Sequence, residues 1–193
     1  MNAETPTSDS APSMAELEAK YQRNPAPKQA YRIELKVADA PGPFARAEGF
    51  VSYEAPNCTF IPNQIVGVRK RPSHTLPIEF AKVDESTFVA TIHADAMLDE
   101  DYLGEGVCHW ELMGVSSWLK ATGAKTDIGY LANLAGDEVR AQKFRTNYYL
   151  KDEYPGNDPD ERLDPGELDR NKFTPEFQGQ LFTITSIAKA GTP

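Results

Sequence analysis

From Tyr31 to Val37 the chain alternates, with Tyr31, Ile33, Leu35 and Val37 apolar and Arg32, Glu34 and Lys36 charged between them. A period of two places the four apolar side chains on one face of an extended strand and the charges on the other, a segregation that helical periodicity does not produce. The alternation returns in Leu76, Ile78 and Phe80, in Phe88, Ala90, Ile92 and Ala94, and in Phe182 and Ile184 among threonines. Gly49 to Glu54 reads as a further strand that ends in the turn Ala55-Pro56-Asn57. With 15 prolines and 13 glycines cutting the chain into short runs, long helices are disfavoured. The expected fold is all-β and mainly antiparallel, a β-sandwich or open barrel of about eight strands with long loops.

The 193 residues fit one domain. Residues 1–30, carrying Pro6, Pro12, Pro25 and Pro27, read as a flexible leader with a possible short helix over Met14 to Arg23, and residues 31–193 as a single β domain. The runs at 76–80 and 88–94 are expected to pair as a hairpin across the short link Asp84-Glu85-Ser86. Val107 to Lys120 is the longest strand candidate, with Cys108, Trp110, Leu112 and Trp118 on one face and Val107, Met113, Val115 and Leu119 on the other. Two apolar faces suit a central strand. Glu138 to Leu150 fits neither template cleanly, and its Phe-Arg-Thr-Asn-Tyr-Tyr end favours strand. Residues 151–173 hold eight acidic and four basic residues and no apolar period, so they read as a long acidic loop.

A net charge of −9 disfavours nucleic acid and anionic lipid and favours a basic partner, or simply solubility. No apolar run approaches the roughly 20 residues that span a bilayer, and the opening residues lack the basic and apolar regions of a signal peptide. They resemble the leader of a mature exported protein. Cys58 and Cys108, an even pair in ordered settings, point to one disulfide, with two buried free thiols as the alternative.

Catalytic and metal motifs do not close. Asp99, Asp101 and Gly104 occupy positions 1, 3 and 6 of a calcium loop, but Leu103 and Trp110 stand where position 5 and the bidentate glutamate belong. Gly114-Val-Ser116-Ser-Trp118 lacks the second glycine of a nucleophile elbow. His74, His93 and His109 lack zinc spacing, and any triad built on His93 or His109 is an arbitrary choice among 29 carboxylates. Paired carboxylates for glycoside hydrolysis have no fixed spacing to search for. Arg69-Lys70-Arg71 is the one basic cluster and reads as a solvated loop. No enzyme activity, metal or cofactor is expected. The expected partner surface is the acidic loop, through Tyr154, Asp158, Asp160, Glu161, Asp164 and Leu168, joined by the turn at Asp99, Glu100, Asp101 and Tyr102.

The run Leu98-Asp-Glu-Asp-Tyr-Leu-Gly-Glu-Gly-Val-Cys-His-Trp-Glu-Leu, with Leu119-Lys-Ala-Thr-Gly beyond it, resembles a segment of exported, often lipidated bacterial immunity proteins that neutralise effectors of type IV or type VI secretion systems. The resemblance covers about 25 residues, and the lipobox cysteine of that group is absent. It implies a periplasmic protein that binds and inhibits a cognate toxin, attached to membrane only through a lipid anchor on a segment since removed. The residues alone leave a second class open: a non-catalytic structural or carbohydrate-binding module of the cell envelope.

Overall fold

The computed structural model describes residues 13–62, 65 and 67–191. Its alternating segments pair into two sheets. One has the order β4 (Ala81–Lys82), β5 (Thr87–His93), β1 (Ala30–Ala38), β11 (Leu181–Ala190), β9 (Phe144–Leu150). The other has the order β10 (Leu163–Asp164), β7 (Gly129–Leu131), β6 (Glu111–Lys120), β2 (Arg46–Glu54), β3 (Ser73–Glu79), with β8 (Leu134–Ala135) also on β6. The ladders are antiparallel except the short β10–β7 pair. The all-β sandwich expectation holds, and the inward alternate residues of both sheets form one core, among them Ile33, Leu35, Val51, Leu119 and Ile184. Phe44, Tyr130, Tyr149, Tyr154 and Phe182 fill one part of it with rings 5.1–6.4 Å apart. Most of these contacts are edge-to-face, the arrangement that ring quadrupoles favour.

Four expectations are corrected. The runs at 76–80 and 88–94 are not one hairpin: β3 pairs with β2, and the chain then crosses at Phe80 so that β4 pairs with β5 in the other sheet. Val107 to Lys120 does not keep one phase, because Ser52 opposes Gly114 while Tyr53 opposes Leu112, leaving Met113 as a bulge. Inward positions therefore pass from Leu112 to Val115, Ser117 and Leu119, and Trp118 turns outward. Glu138 to Leu150 divides into a short helix, α2 (Gly136–Arg140), and β9. The first residue of that helix must be glycine, because a Cβ at Gly136 would overlap the Leu112 carbonyl.

The fourth correction concerns the leader. Residues 1–12 lie outside the described residues, but from Ser13 onward the segment is packed. Helix α1 (Met14–Glu18) opens on a capping box, in which Ser13 Oγ accepts from Glu16 N and the Glu16 carboxylate accepts from Ser13 N. Leu17 is fully buried. Tyr21 meets Trp110, Tyr102 and His74 edge-on at 4.9, 5.2 and 6.0 Å. Asn24 N donates to Ala96 O, and its Nδ2 donates to Asp95 O at 2.8 Å. The prolines after Tyr21 shape an extended path along the domain rather than a free tether.

Candidate interaction surfaces

Two acidic regions were expected to make one surface, and the fold sets them at opposite ends of β6. The turn from Asp99 to Trp110 precedes the first residue of that strand, whereas Asp127, which bridges to Asn157, follows its last. Ten residues of strand put about 30 Å between them.

At the first end, Cys58 and Cys108 form a disulfide with Cα atoms 5.5 Å apart. Asn57 reinforces it: its Nδ2 donates to Val107 O and its Oδ1 accepts from His109 N, both at 2.8 Å. The turn is organised by its own carboxylates. Asp99 accepts from Trp110 N at 2.9 Å and pairs with His109 Nδ1 at 2.8 Å, while Asp101 accepts from the Gly104 and Glu105 N–H groups. Cys108 N donates to Glu100 O, closing the turn. Tyr102 is buried, not a surface anchor, and its hydroxyl donates to Leu98 O at 2.6 Å. The local acidity thus mostly caps backbone N–H groups, the role short acidic side chains take in turns.

Beside this turn lies a cleft of about 540 Å³ whose walls include Asp95, Asp99, Glu111, Arg140 and Trp110. Asp95 accepts from Lys28 N at 2.8 Å and Gln29 N at 3.0 Å, and against the penalty of burial these donors hold its carboxyl below the usual range. Arg140 is committed through Nη1 to Leu112 O at 2.9 Å. Glu111 is exposed on the rim. The indole Nε1 of Trp110 is buried and has no hydrogen-bond partner among the described residues. Three carboxylates face one guanidinium, so the cleft favours a cationic group. Sequence reasoning missed it because Asp95, Trp110 and Arg140 meet only through the packing of β5, β6 and α2.

The expected loop at 151–173 is an ordered strap. It begins with a 3₁₀ turn at Lys151–Glu153. Tyr154 then turns inward onto Phe44, with its hydroxyl donating to Pro43 O, so it too is a packing residue and not a partner contact. Asp158 lies 3.8 Å from Arg162 and accepts from Asp160 N at 2.9 Å, while Glu161 pairs with Lys125 at 3.0 Å. Asp164 accepts from Gly166 N at 2.9 Å. Burial, and then the neighbouring Asp164, push the Glu153 carboxyl above its ordinary value. Asp160 and Leu168 remain exposed, as a partner contact requires. Leu163–Asp164 pair with β7 of one sheet, and three residues later Glu167 pairs with Tyr148 of β9 in the other. The strap therefore joins the two sheets. Many of its charges are spent on that structure rather than left for steering.

Among the described residues no cluster of three or more His, Cys, Asp or Glu side chains could hold a metal ion, and no helix is long and apolar enough to cross a membrane. The disulfide is compatible with an oxidising, extracytoplasmic compartment. No protein-family model, curated protein or solved structure matches the chain.

Proposed function

We propose that the protein is a non-catalytic inhibitor, an immunity protein that captures a cognate antibacterial effector with a basic surface in the periplasm. The observation that carries this reading is the acidic cleft at the disulfide end, where Asp95 and Asp99 are fixed by backbone donors and Glu111 stands free at the rim. Carboxylates held in place before binding lose little entropy on meeting a lysine or arginine, and their field speeds encounter. The test is co-expression with the product of the adjacent gene. A stoichiometric complex that restores growth, and whose on-rate falls several-fold on Glu111→Gln, supports the proposal; a toxic neighbour that neither binds nor is neutralised overturns it.

A carbohydrate-binding envelope module has its own observation. Phe50 and Trp118 lie half-buried on the outer face of β2 and β6, 6.1 Å apart, with Trp118 Nε1 donating to Glu48 at 3.2 Å. A ring beside a carboxylate is the chemistry that stacks on and hydrogen-bonds a pyranose. Saturable binding of cell-wall oligosaccharides in titration calorimetry, abolished in Trp118→Ala, would favour this second reading over capture of an effector.

A further inference from the structure

Where the strap crosses its margin of the sandwich it covers a cavity of about 390 Å³. Asn147 on β9 lies deepest, 7% exposed and the one buried residue among those that line the cavity, while Leu168 and Lys172 of the strap stand exposed at the mouth. Asn133, on the link between β7 and β8, contributes a second amide. Both amides are oriented by main-chain partners. Asn147 Nδ2 donates to Pro165 O at 2.9 Å, and because a carbonyl can only accept, Oδ1 is the end left over; it is buried and has no hydrogen-bond partner among the described residues. Asn133 Oδ1 accepts from Ser117 N at 3.2 Å, and because an N–H can only donate, Nδ2 is left over as a donor without a bond among the described residues. The cavity thus offers one fixed acceptor and one fixed donor. The charges around them balance, Arg145 and Lys172 against Glu167 and Asp169, so no net field selects an ion. Arg145 is moreover bonded to Glu138 through Nε at 3.2 Å and Nη2 at 2.7 Å. Pro165 and Leu168, the latter 57% exposed, add apolar surface.

We propose that this cavity binds the acetamido group of an N-acetylated hexosamine. The amide N–H donates to Asn147 Oδ1, the carbonyl accepts from Asn133 Nδ2, and the methyl packs on Pro165 and Leu168. An acceptor buried without a donor is costly, and a ligand N–H that reaches it recovers that cost. Asn147 closes the inner end, so the amide has to hang from the body of the ligand, as an acetamido group does, rather than lie within a through-running chain as a peptide group does. Ring hydroxyls then meet Lys172, Glu167 and Asp169 at the mouth, a few polar groups that fix the orientation of a neutral ligand. The inference rests on neither reading above, since the cavity shares no residue with the acidic cleft or with the Phe50 and Trp118 pair.

Titration calorimetry on the full chain compares chitobiose, the dimer of N-acetylglucosamine, with cellobiose, which carries hydroxyls in place of the acetamido groups. The expected result is saturable binding of chitobiose, about tenfold or more tighter than of cellobiose, because a site built to hydrogen-bond a group rejects the analogue that lacks it. Asn133→Asp keeps the oxygen that accepts from Ser117 N and replaces the free donor by an acceptor, so it should weaken chitobiose about tenfold or more and leave cellobiose unchanged. Leu168→Ser should weaken chitobiose several-fold, and Trp118→Ala should bind as wild type. Circular dichroism confirms that the variants remain folded. Equal affinity for the two sugars, no saturable binding of either, or wild-type affinity in Asn133→Asp overturns the proposal. Loss of binding in Trp118→Ala alone also overturns it and places the sugar on the outer face of β2 and β6. Tighter binding of a glutamine-containing dipeptide than of chitobiose overturns it in favour of a side-chain amide.

Discussion

Replacing Leu17 by alanine tests whether the segment before β1 belongs to the folded domain. Leu17 is 0% exposed on a five-residue helix that could not persist alone, so its burial is what fixes α1 to the domain. Truncating a fully buried leucine removes its transfer free energy and leaves a cavity, together about 3 kcal/mol. For a chain of this size that lowers Tm by roughly 6–12 °C. Urea unfolding followed by tryptophan fluorescence is the suitable assay, since Trp110 lies 4.9 Å from Tyr21 and reports this contact. The midpoint should fall with little change in slope, because the rest of the domain still unfolds cooperatively. Tyr21→Ala should produce a loss of the same order, and the double variant less than the sum, as expected when both act through one docked segment. A variant Leu17→Ala whose Tm lies within about 2 °C of wild type would refute the packing argument, on the same scaling.

Further outcomes follow from other contacts. Reduction of the Cys58–Cys108 bond, which spans 50 residues, should cost about 4 kcal/mol, and non-reducing mass analysis should find no free thiol. Gly49→Ala should destabilise by about 1–3 kcal/mol in thermal melts, because a Cβ would overlap the Ser116 carbonyl on the adjacent strand. Hydrogen bonding from Lys189, outweighing burial, holds the Glu34 carboxyl below its ordinary value. Its contribution to stability is therefore complete above the unfolded value of 4.5 and is lost as pH falls through the lower folded value, so Glu34→Gln should flatten the acid limb of a urea-midpoint profile.

What the sequence revealed was local. Ile33, Leu35, Phe88 and Ile184 announced their strands because each segment keeps one phase against a single buried face. The disulfide was legible from two cysteines in ordered surroundings. Phe80 gave no sign that the chain changes sheets there, since alternation carries no information about which partner a strand takes. Met113 concealed a bulge: one extra residue reverses the phase, and a strand apolar on both sides masks the reversal. The short helix within Met14 to Arg23 was legible, but its docking through Leu17 and Tyr21 was not, because neighbouring prolines suggested a tether; proline constrains local geometry without preventing a chain from packing. Asp99 and Asp101 were recognised as an acidic turn, but their occupation by the backbone donors of Trp110, Gly104 and Glu105 is a matter of geometry that composition does not encode.

A two-layer β protein usually keeps two open margins along which its layers can part. Here the crossing at Phe80 closes one margin, and the strap from Leu163 to Glu167 closes the other. Opening the interior then requires breaking a ladder rather than sliding two sheets apart. Amide exchange at Leu35 and Ile184 should accordingly proceed by global unfolding alone. A ligand at either end meets a finished shape, and its binding rate is set by orientation and charge, with no opening step to wait for.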